Sequence, residues 1–416
     1  MLMHKERKVL KVHALFLSIY FITILFLLLD QAGALPIAEV LRKIKYVYIF
    51  VTLFLCIGAR MRKADRCIGV VLLLLFLHTL VFGFLIPKRI VLDAVHEHAT
   101  QMLVFLTMTA STFMYVYRHA IFRTFLNITY FATAIRFIII GWIYREHFVN
   151  PVWGIIQTFR GVNRYKSTFG FVHSGYLANE LYLLLVLSIL VYEFNKHKAF
   201  SEFRYYLAVI LVVDLLGFMM LIASAQRSGV VSVALAYMIY FIGTNTRIFT
   251  SKLGRLILVI AATGAVIFIY KSGMWEYVWQ NSNRVLKIEV KYPVFKEIGD
   301  IWTGMGYVES SGFQKDVSIF GSTTSSLDMY YIYVFFTTGI VGSAMILCSL
   351  ILILYKILKR KTDSIKMAYL GVFVSMLFFA FWQVNLFTWR YISSFIVTVI
   401  FLAGMQRDCC TRKYVN

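Results

Sequence analysis

Residues Val70–Phe84 read VVLLLLFLHTLVFGF, a continuous apolar run without the strict alternation of a membrane β-strand. Runs of this kind recur along the whole chain. A helical span needs about 20 consecutive apolar residues. By that measure about twelve candidates stand at roughly 12–29, 44–59, 67–86, 100–117, 124–144, 173–194, 205–224, 229–243, 254–270, 328–355, 367–383 and 390–405. Those at 44–59, 229–243 and 390–405 are short. With only 4 Pro and 24 Gly among 416 residues, the runs can be unbroken helices. The expected fold class is all-α, a polytopic transmembrane helical bundle in a single integral-membrane domain over 1–416, with a large, partly helical extracytoplasmic loop.

Composition agrees. Apolar residues make up 60% of the chain, charged residues 15%, and mean hydropathy is +0.75. A soluble domain carries about a quarter charged residues. The net charge of +22 invites a nucleic-acid partner, but Lys and Arg gather at the ends of the apolar runs. There they set topology and meet anionic membrane lipids. No nucleic acid is expected. The cysteines Cys56, Cys67, Cys348, Cys409 and Cys410 show no metal-ligand spacing with histidines, and no disulfide framework is implied. The first run, Val12–Leu29, is long enough to remain a span and lacks a small-residue cleavage site.

The densest basic clusters are Lys5–Lys11, Arg60–Arg66 and Lys356–Lys366. With twelve spans all three fall on one side, which the positive-inside rule assigns to the cytoplasm. Both termini are then cytoplasmic, and the two longest loops, 145–172 and 271–327, face outward. Long ordered loops beside helical bundles are where substrates are handled. Against the topological trend, the outer side carries Arg160, Arg164, Lys166, Arg227, Arg284, Lys287, Lys291 and Arg390. Cations placed there suit an anionic substrate.

Several segments admit two readings. Arg227, in Ala223-Ser-Ala-Gln-Arg227-Ser-Gly229, either snorkels to lipid phosphates or binds a ligand at a tight turn. Asn283-Arg284, with Lys287, Lys291 and Lys296 at helical spacing, leads to Trp302-Thr-Gly-Met-Gly306. This is either a solvated basic face or a ligand-handling segment whose glycines let backbone approach a ligand. His173, Tyr176 and Glu180 fall on one helical stripe, and a carboxylate at Glu180 is costly unless it faces a cavity or a cation. Asp328 is either the N-cap of the tenth span or a general base. Gly339 and Gly342 have the spacing of a helix-packing contact. Arg136 and Asp214, inside the fifth and seventh spans, are expected to neutralise each other. Arg390, after Trp389 in a short outer turn, is placed as an interfacial anchor.

Taken in order, ASAQRSG around Arg227, Asn283-Arg284, Trp302–Gly306, Leu327-Asp328-Met-Tyr-Tyr331 with Gly339 and Gly342, and HSGYLANE at His173–Glu180 resemble the O-antigen polymerase family. That family lies within the O-antigen ligase and polymerase superfamily, and the resemblance covers about residues 160–345. It implies an integral-membrane glycosyltransferase of the bacterial cytoplasmic membrane with its active site on the outer face. Such an enzyme polymerises undecaprenyl-diphosphate-linked oligosaccharide repeat units of O-antigen, capsule or exopolysaccharide. No cofactor, metal or nucleotide sugar is implied; the partners are the lipid-linked oligosaccharide and a chain-length regulator protein.

Carried onto this chain, the resemblance gives Arg227 and Arg284 to the lipid diphosphate; the outward-facing Arg160, Arg164 and Arg390 are further candidate contacts. Guanidinium forks pair bidentately with phosphate oxygens and stabilise an anionic leaving group. Asp328, His173 and Glu180 are the catalytic candidates. Ligases of the superfamily carry a His where this chain has Asp328, which favours polymerase over ligase. A flippase would show paired or inverted halves, and no internal symmetry is evident.

Overall fold

The computed structural model describes residues 14–24, 38–56, 66–86, 92–148, 167–171, 174–196, 200–224, 226–244, 292–293, 295–297, 299–307, 329–361, 363–389 and 391–406. Among these the structure is all-helical, apart from one isolated bridge between Asp300 and Gly304. The main helices are α1 (Ala14–Ile24), α2 (Ala38–Cys56), α3 (Arg66–Leu80), α4 (Leu92–Arg118), α5 (Phe122–Ile143) and α6 (Ser174–Asn195). They continue with α7 (Phe200–Ala223), α8 (Arg227–Thr244), α9 (Tyr330–Leu358), α10 (Ser364–Ala380) and α11 (Ile392–Met405). A π-helical turn, Val81–Leu85, extends α3. Without water, only a helix or closed barrel satisfies its own backbone, and long Leu, Ile, Val and Phe runs settle into the former.

Among the described residues, six helices are long and apolar enough to cross a membrane: Arg66–Leu85, Val95–Arg118, Phe122–Ile143, Ser174–Asn195, Arg204–Ala223 and Tyr330–Leu358. Five shorter apolar helices accompany them. Each falls on one of the expected segments; the segment at 254–270 lies outside the described residues. The start of α4 at Leu92, rather than near residue 100, was not expected. Its first turns are polar, yet they bury Val95, His98 and Ala99 against neighbours.

α6 and α11 form the centre. Every residue of α11 is buried, and α6 is buried nearly all round, as a helix apolar on every face must be. α6 packs against α5, α7, α8, α10 and α11, while α3 packs on α9 and α2 on α4. Exposed side chains such as Phe50, Phe54, Val212, Leu215, Leu347 and Ile351 form an outer apolar surface of the kind lipid covers.

One end of the bundle is tied by polar bonds. Glu193 of α6 accepts from Ser364 Oγ at 2.6 Å and pairs with Lys196 at 2.8 Å, and it also meets Tyr240 of α8. Asn195 holds Arg123 and Asn127 of α5 at 3.1 and 2.8 Å. Arg360 donates to the carbonyls of Gly404 and Gln406 at 2.9 and 2.8 Å, closing the end of α11.

Toward the other end, α9 is broken. Gly339 has φ 62° and ψ −160°, so two helical segments meet there. Thr337 and Thr338 hydroxyls return to the carbonyls of Tyr333 and Val334 at 2.7 and 2.8 Å. The groups freed by the break are met by residues 301–306. Met305 and Gly306 donate to Phe336 and Thr337 carbonyls at 2.8 and 3.2 Å; Ile340 and Val341 donate to Ile301 and Trp302 carbonyls at 2.9 and 3.1 Å. The turn is closed by reciprocal Asp300–Gly304 backbone bonds of 3.1 and 2.7 Å, with Asp300 Oδ1 accepting from Trp302 N at 2.6 Å.

Two expectations change here. The glycines of Trp302–Gly306 approach the α9 backbone rather than a ligand, and Gly339 is a helix break rather than a packing contact. A Cβ on Gly304 would lie 2.4 Å from the Thr337 carbonyl, and one on Gly339 would lie 2.4 Å from that of Trp302. Both residues also have positive φ, 77° and 62°.

Gly304→Ala and Gly339→Ala should therefore each cost at least about 1–3 kcal/mol through strain alone. Gly69→Ala, with nothing within 4 Å of its Cβ position, should be neutral or stabilising by up to about 1 kcal/mol. Thermal unfolding of the detergent-solubilised protein checks the three; equal midpoints would contradict the clasp.

Candidate functional site

Glu180 sits in the second turn of α6 and Arg136 near the end of α5, and both side chains are fully buried. Arg136 Nη1 lies 3.9 Å from Glu180 Oε2. That is ion-pair range but too long for a hydrogen bond. The guanidinium packs over Phe171 at 4.7 Å and beside Phe137 at 5.5 Å. Glu180 Oε1 accepts from the backbone N–H of Ser393, at the start of α11, at 3.4 Å. Arg136 Nε, Nη1 and Nη2 and Glu180 Oε2 make no hydrogen bond.

Other polar groups crowd the same place. Asn385, fully buried in the turn between α10 and α11, donates through Nδ2 to Asn179 Oδ1 at 3.1 Å. Asn179 Nδ2, Asn385 Oδ1 and Ser393 Oγ are left without partners. Buried polar atoms are nearly always paired, and each exception asks for a reason. Here the exceptions adjoin one another, supplying spare donors from Arg136 and Asn179 and spare acceptors from Glu180 and Asn385. A closely packed bundle that tolerates them retains them at a cost in stability.

The starts of three helices come to this end. Gln226, immediately before α8, donates to Ser174 Oγ, at the start of α6, at 2.6 Å. Tyr176 of α6 and Tyr391, which precedes α11, stack obliquely with centroids 5.0 Å apart. Ser167 N–H donates to the Ala223 carbonyl at 3.3 Å, and Ser167 Oγ lies 2.9 Å from His147 Nδ1. Helix starts expose backbone N–H groups and the positive end of the dipole. Together with the Arg136 donors they make an end suited to negative charge.

Among the site residues expected from sequence, Glu180 is placed inside this cluster. Arg227 is the first residue of α8, directly after Gln226. His173, Asp328, Arg160, Arg164, Arg284 and Arg390 lie outside the described residues. The cap position of α9 is Met329, with no side-chain cap. Arg136 does not meet Asp214: it faces Glu180, and Asp214 accepts from Tyr237 at 2.8 Å and Tyr130 at 3.4 Å. Trp389, which precedes Arg390, donates its indole N–H to His98 Nδ1 at 3.1 Å. Sequence reasoning missed Asn179, Asn385 and Ser393, whose only signal was a polar residue within or beside an apolar run.

Glu180→Leu should strand the Arg136 charge and cost about 3–5 kcal/mol, whereas Arg136→Met combined with Glu180→Leu should recover most of that loss. Unfolding midpoints of the single and double variants decide; a double variant no more stable than the single one refutes the pairing.

No protein-family model matches the chain, and no curated protein sequence matches it.

Proposed function

We propose that the protein is a polymerase of undecaprenyl-diphosphate-linked oligosaccharide repeat units. It transfers the growing glycan from one lipid diphosphate to a sugar hydroxyl of another carrier-linked unit. The observation that carries this reading is the Gln226–Ser174 bond. It ties the start of α8, where Arg227 stands, to the start of α6 beside Asn179, Glu180 and Arg136. A helix start bearing an arginine, next to buried spare donors, has the charge and geometry that a diphosphate needs.

The topology belongs to the same proposal: about twelve spans in a bacterial cytoplasmic membrane, both termini cytoplasmic, loops 145–172 and 271–327 outside. The helix ends that meet at the cluster are the end of α5 and the starts of α6, α8 and α11. Each is an end that this topology assigns to the outer side, where the lipid-linked units are joined. Arg284, Arg160, Arg164 and Arg390 remain the further diphosphate contacts. Glu180 already faces Arg136, which suits a positioning role, and leaves proton acceptance to Asp328 or His173. The lipid-linked oligosaccharide is the substrate, membrane lipids surround the bundle, and a chain-length regulator is the protein partner.

Arg227→Ala and Arg284→Ala should abolish the long-chain glycan ladder while leaving single repeat units attached, with protein abundance unchanged. The glycan chain-length profile of the complemented deletion strain reads this directly. Normal ladders from both variants would remove the diphosphate-binding role. Lipid-linked polymer accumulating in the deletion strain would identify a ligase instead.

A further inference from the structure

The turn that clasps α9 is built to do without water. Asp300 and Gly304 exchange backbone bonds, and Trp302 and Thr303 N–H donate to Asp300 Oδ1 at 2.6 and 3.3 Å. Met305 and Gly306 N–H donate to α9. Six of the seven backbone N–H groups from Asp300 to Gly306 are therefore met inside the protein. The Ile301 and Trp302 carbonyls accept from Ile340 and Val341. Irregular backbone lies at membrane depth only where the protein satisfies its polar groups. The approach to the turn rests on α9 as well, with the Phe295 ring stacked on Phe336 at 4.9 Å.

Neighbouring helices set the level of the turn. Val341, which donates to the Trp302 carbonyl, precedes Gly342, whose Cβ position lies 3.1 Å from His78 Nε2. His78 stands seven residues before Leu85, where the span Arg66–Leu85 ends, or about 10 Å of helix. Lys88 is the first Asp, Glu, Lys or Arg beyond that end. A hydrocarbon layer is about 30 Å thick, so the clasp falls at the depth of one leaflet. The side chains the turn exposes most are apolar, Ile301 at 55% and Trp302 at 61%. Ile340 and Val341 beside them are exposed too, and Leu347 and Ile351 continue the stripe down α9 at helical spacing.

A water-facing turn leaves N–H groups to solvent and carries polar side chains at its tip. This one does neither, and its tip continues the outer apolar face of α9, which is of the kind lipid covers. Tryptophan is also enriched where acyl chains meet the headgroups. Asp300 is the one ionisable side chain in the turn, and its Oδ1 is held by two N–H groups, which lowers the cost of carrying it to the membrane edge. We propose that residues 300–306 form a re-entrant turn within one leaflet, with Ile301 and Trp302 against lipid acyl chains. The segment 271–327, expected from sequence to face outward throughout, is then drawn into the bilayer at this point.

The test uses the full chain in phospholipid nanodiscs, with Cys56, Cys67, Cys348, Cys409 and Cys410 replaced by alanine. Ile301→Cys and Trp302→Cys each carry a nitroxide. Leu347→Cys on the apolar face of α9 and Lys361→Cys in the exposed turn after it are the references. Oxygen, which concentrates among acyl chains, should relax the nitroxides at both turn positions several-fold more than a water-soluble nickel chelate does. Leu347→Cys should behave alike and Lys361→Cys oppositely. Nickel dominance at either turn position would make the turn a water-facing loop, and collision with neither reagent would mean that protein covers it. Both results overturn the proposal. A second reading needs only the conservative Trp302→Phe. The tryptophan emission that this change removes should fall several-fold when phospholipids brominated along their acyl chains replace ordinary ones. Emission undiminished by bromine would overturn the proposal even if the cysteine variants fail to fold.

Discussion

A helix broken within an apolar bundle exposes backbone groups that hydrocarbon cannot satisfy, each at a cost of several kcal/mol. α9 is broken at Gly339, and the freed groups are taken up by residues 301–306 through four backbone hydrogen bonds. The docked turn is consequently part of the bundle rather than a lid resting on it. It also positions Tyr307, one residue beyond the clasp, edge-on to both His78 and His98. Two glycines make this possible because the two backbones touch where any Cβ would intrude.

At the same end two regions of opposite chemistry lie side by side. Between α5, α6 and α11 is a charged interior with spare donors. Between α3, α4 and α9 is an uncharged one made of imidazole, phenol and threonine. The turn between α10 and α11 reaches both, with Asn385 bonded to Asn179 and Trp389 bonded to His98. The proposed transferase would use this division, since a diphosphate needs cations while a neutral sugar needs shape and neutral hydrogen bonds. Keeping the regions apart spares the neutral region the desolvation of fixed charges.

The sequence was most legible where one physical requirement dominates. Apolar runs long enough to span declared the helical class, because nothing else buries them. It was less legible where the answer depended on which helices become neighbours. The expense of Arg136 and Glu180 inside spans was readable; their pairing was not, because α5 packs against both α6 and α7. Asp214 on α7 was an equally near candidate until Tyr130 and Tyr237 proved to satisfy it. Likewise Gly304 and Gly306 announced a close approach, but only the break at Gly339, invisible in an uninterrupted apolar run, reveals what approaches. His78 and His98 gave no signal, since a histidine on an apolar face reads the same whether its nitrogens are satisfied or spare.

The distribution of spare polar atoms bears on why the fold accepts them. If they were incidental packing faults, they would be scattered along the bundle. Instead His78, Arg136, Asn179, Glu180, Asn385 and Ser393 carry theirs at the end where α6, α8 and α11 begin. At the opposite end Glu193, Lys196, Asn195 and Arg360 are matched by close partners; Gln406 Nε2 there and Ser343 Oγ midway along α9 are exceptions. The same chain therefore builds satisfied polar networks where it needs only stability. Local rules broken at one end and obeyed at the other are the mark of a functional region. On the proposed function, the spare donors and acceptors are binding capacity held in reserve.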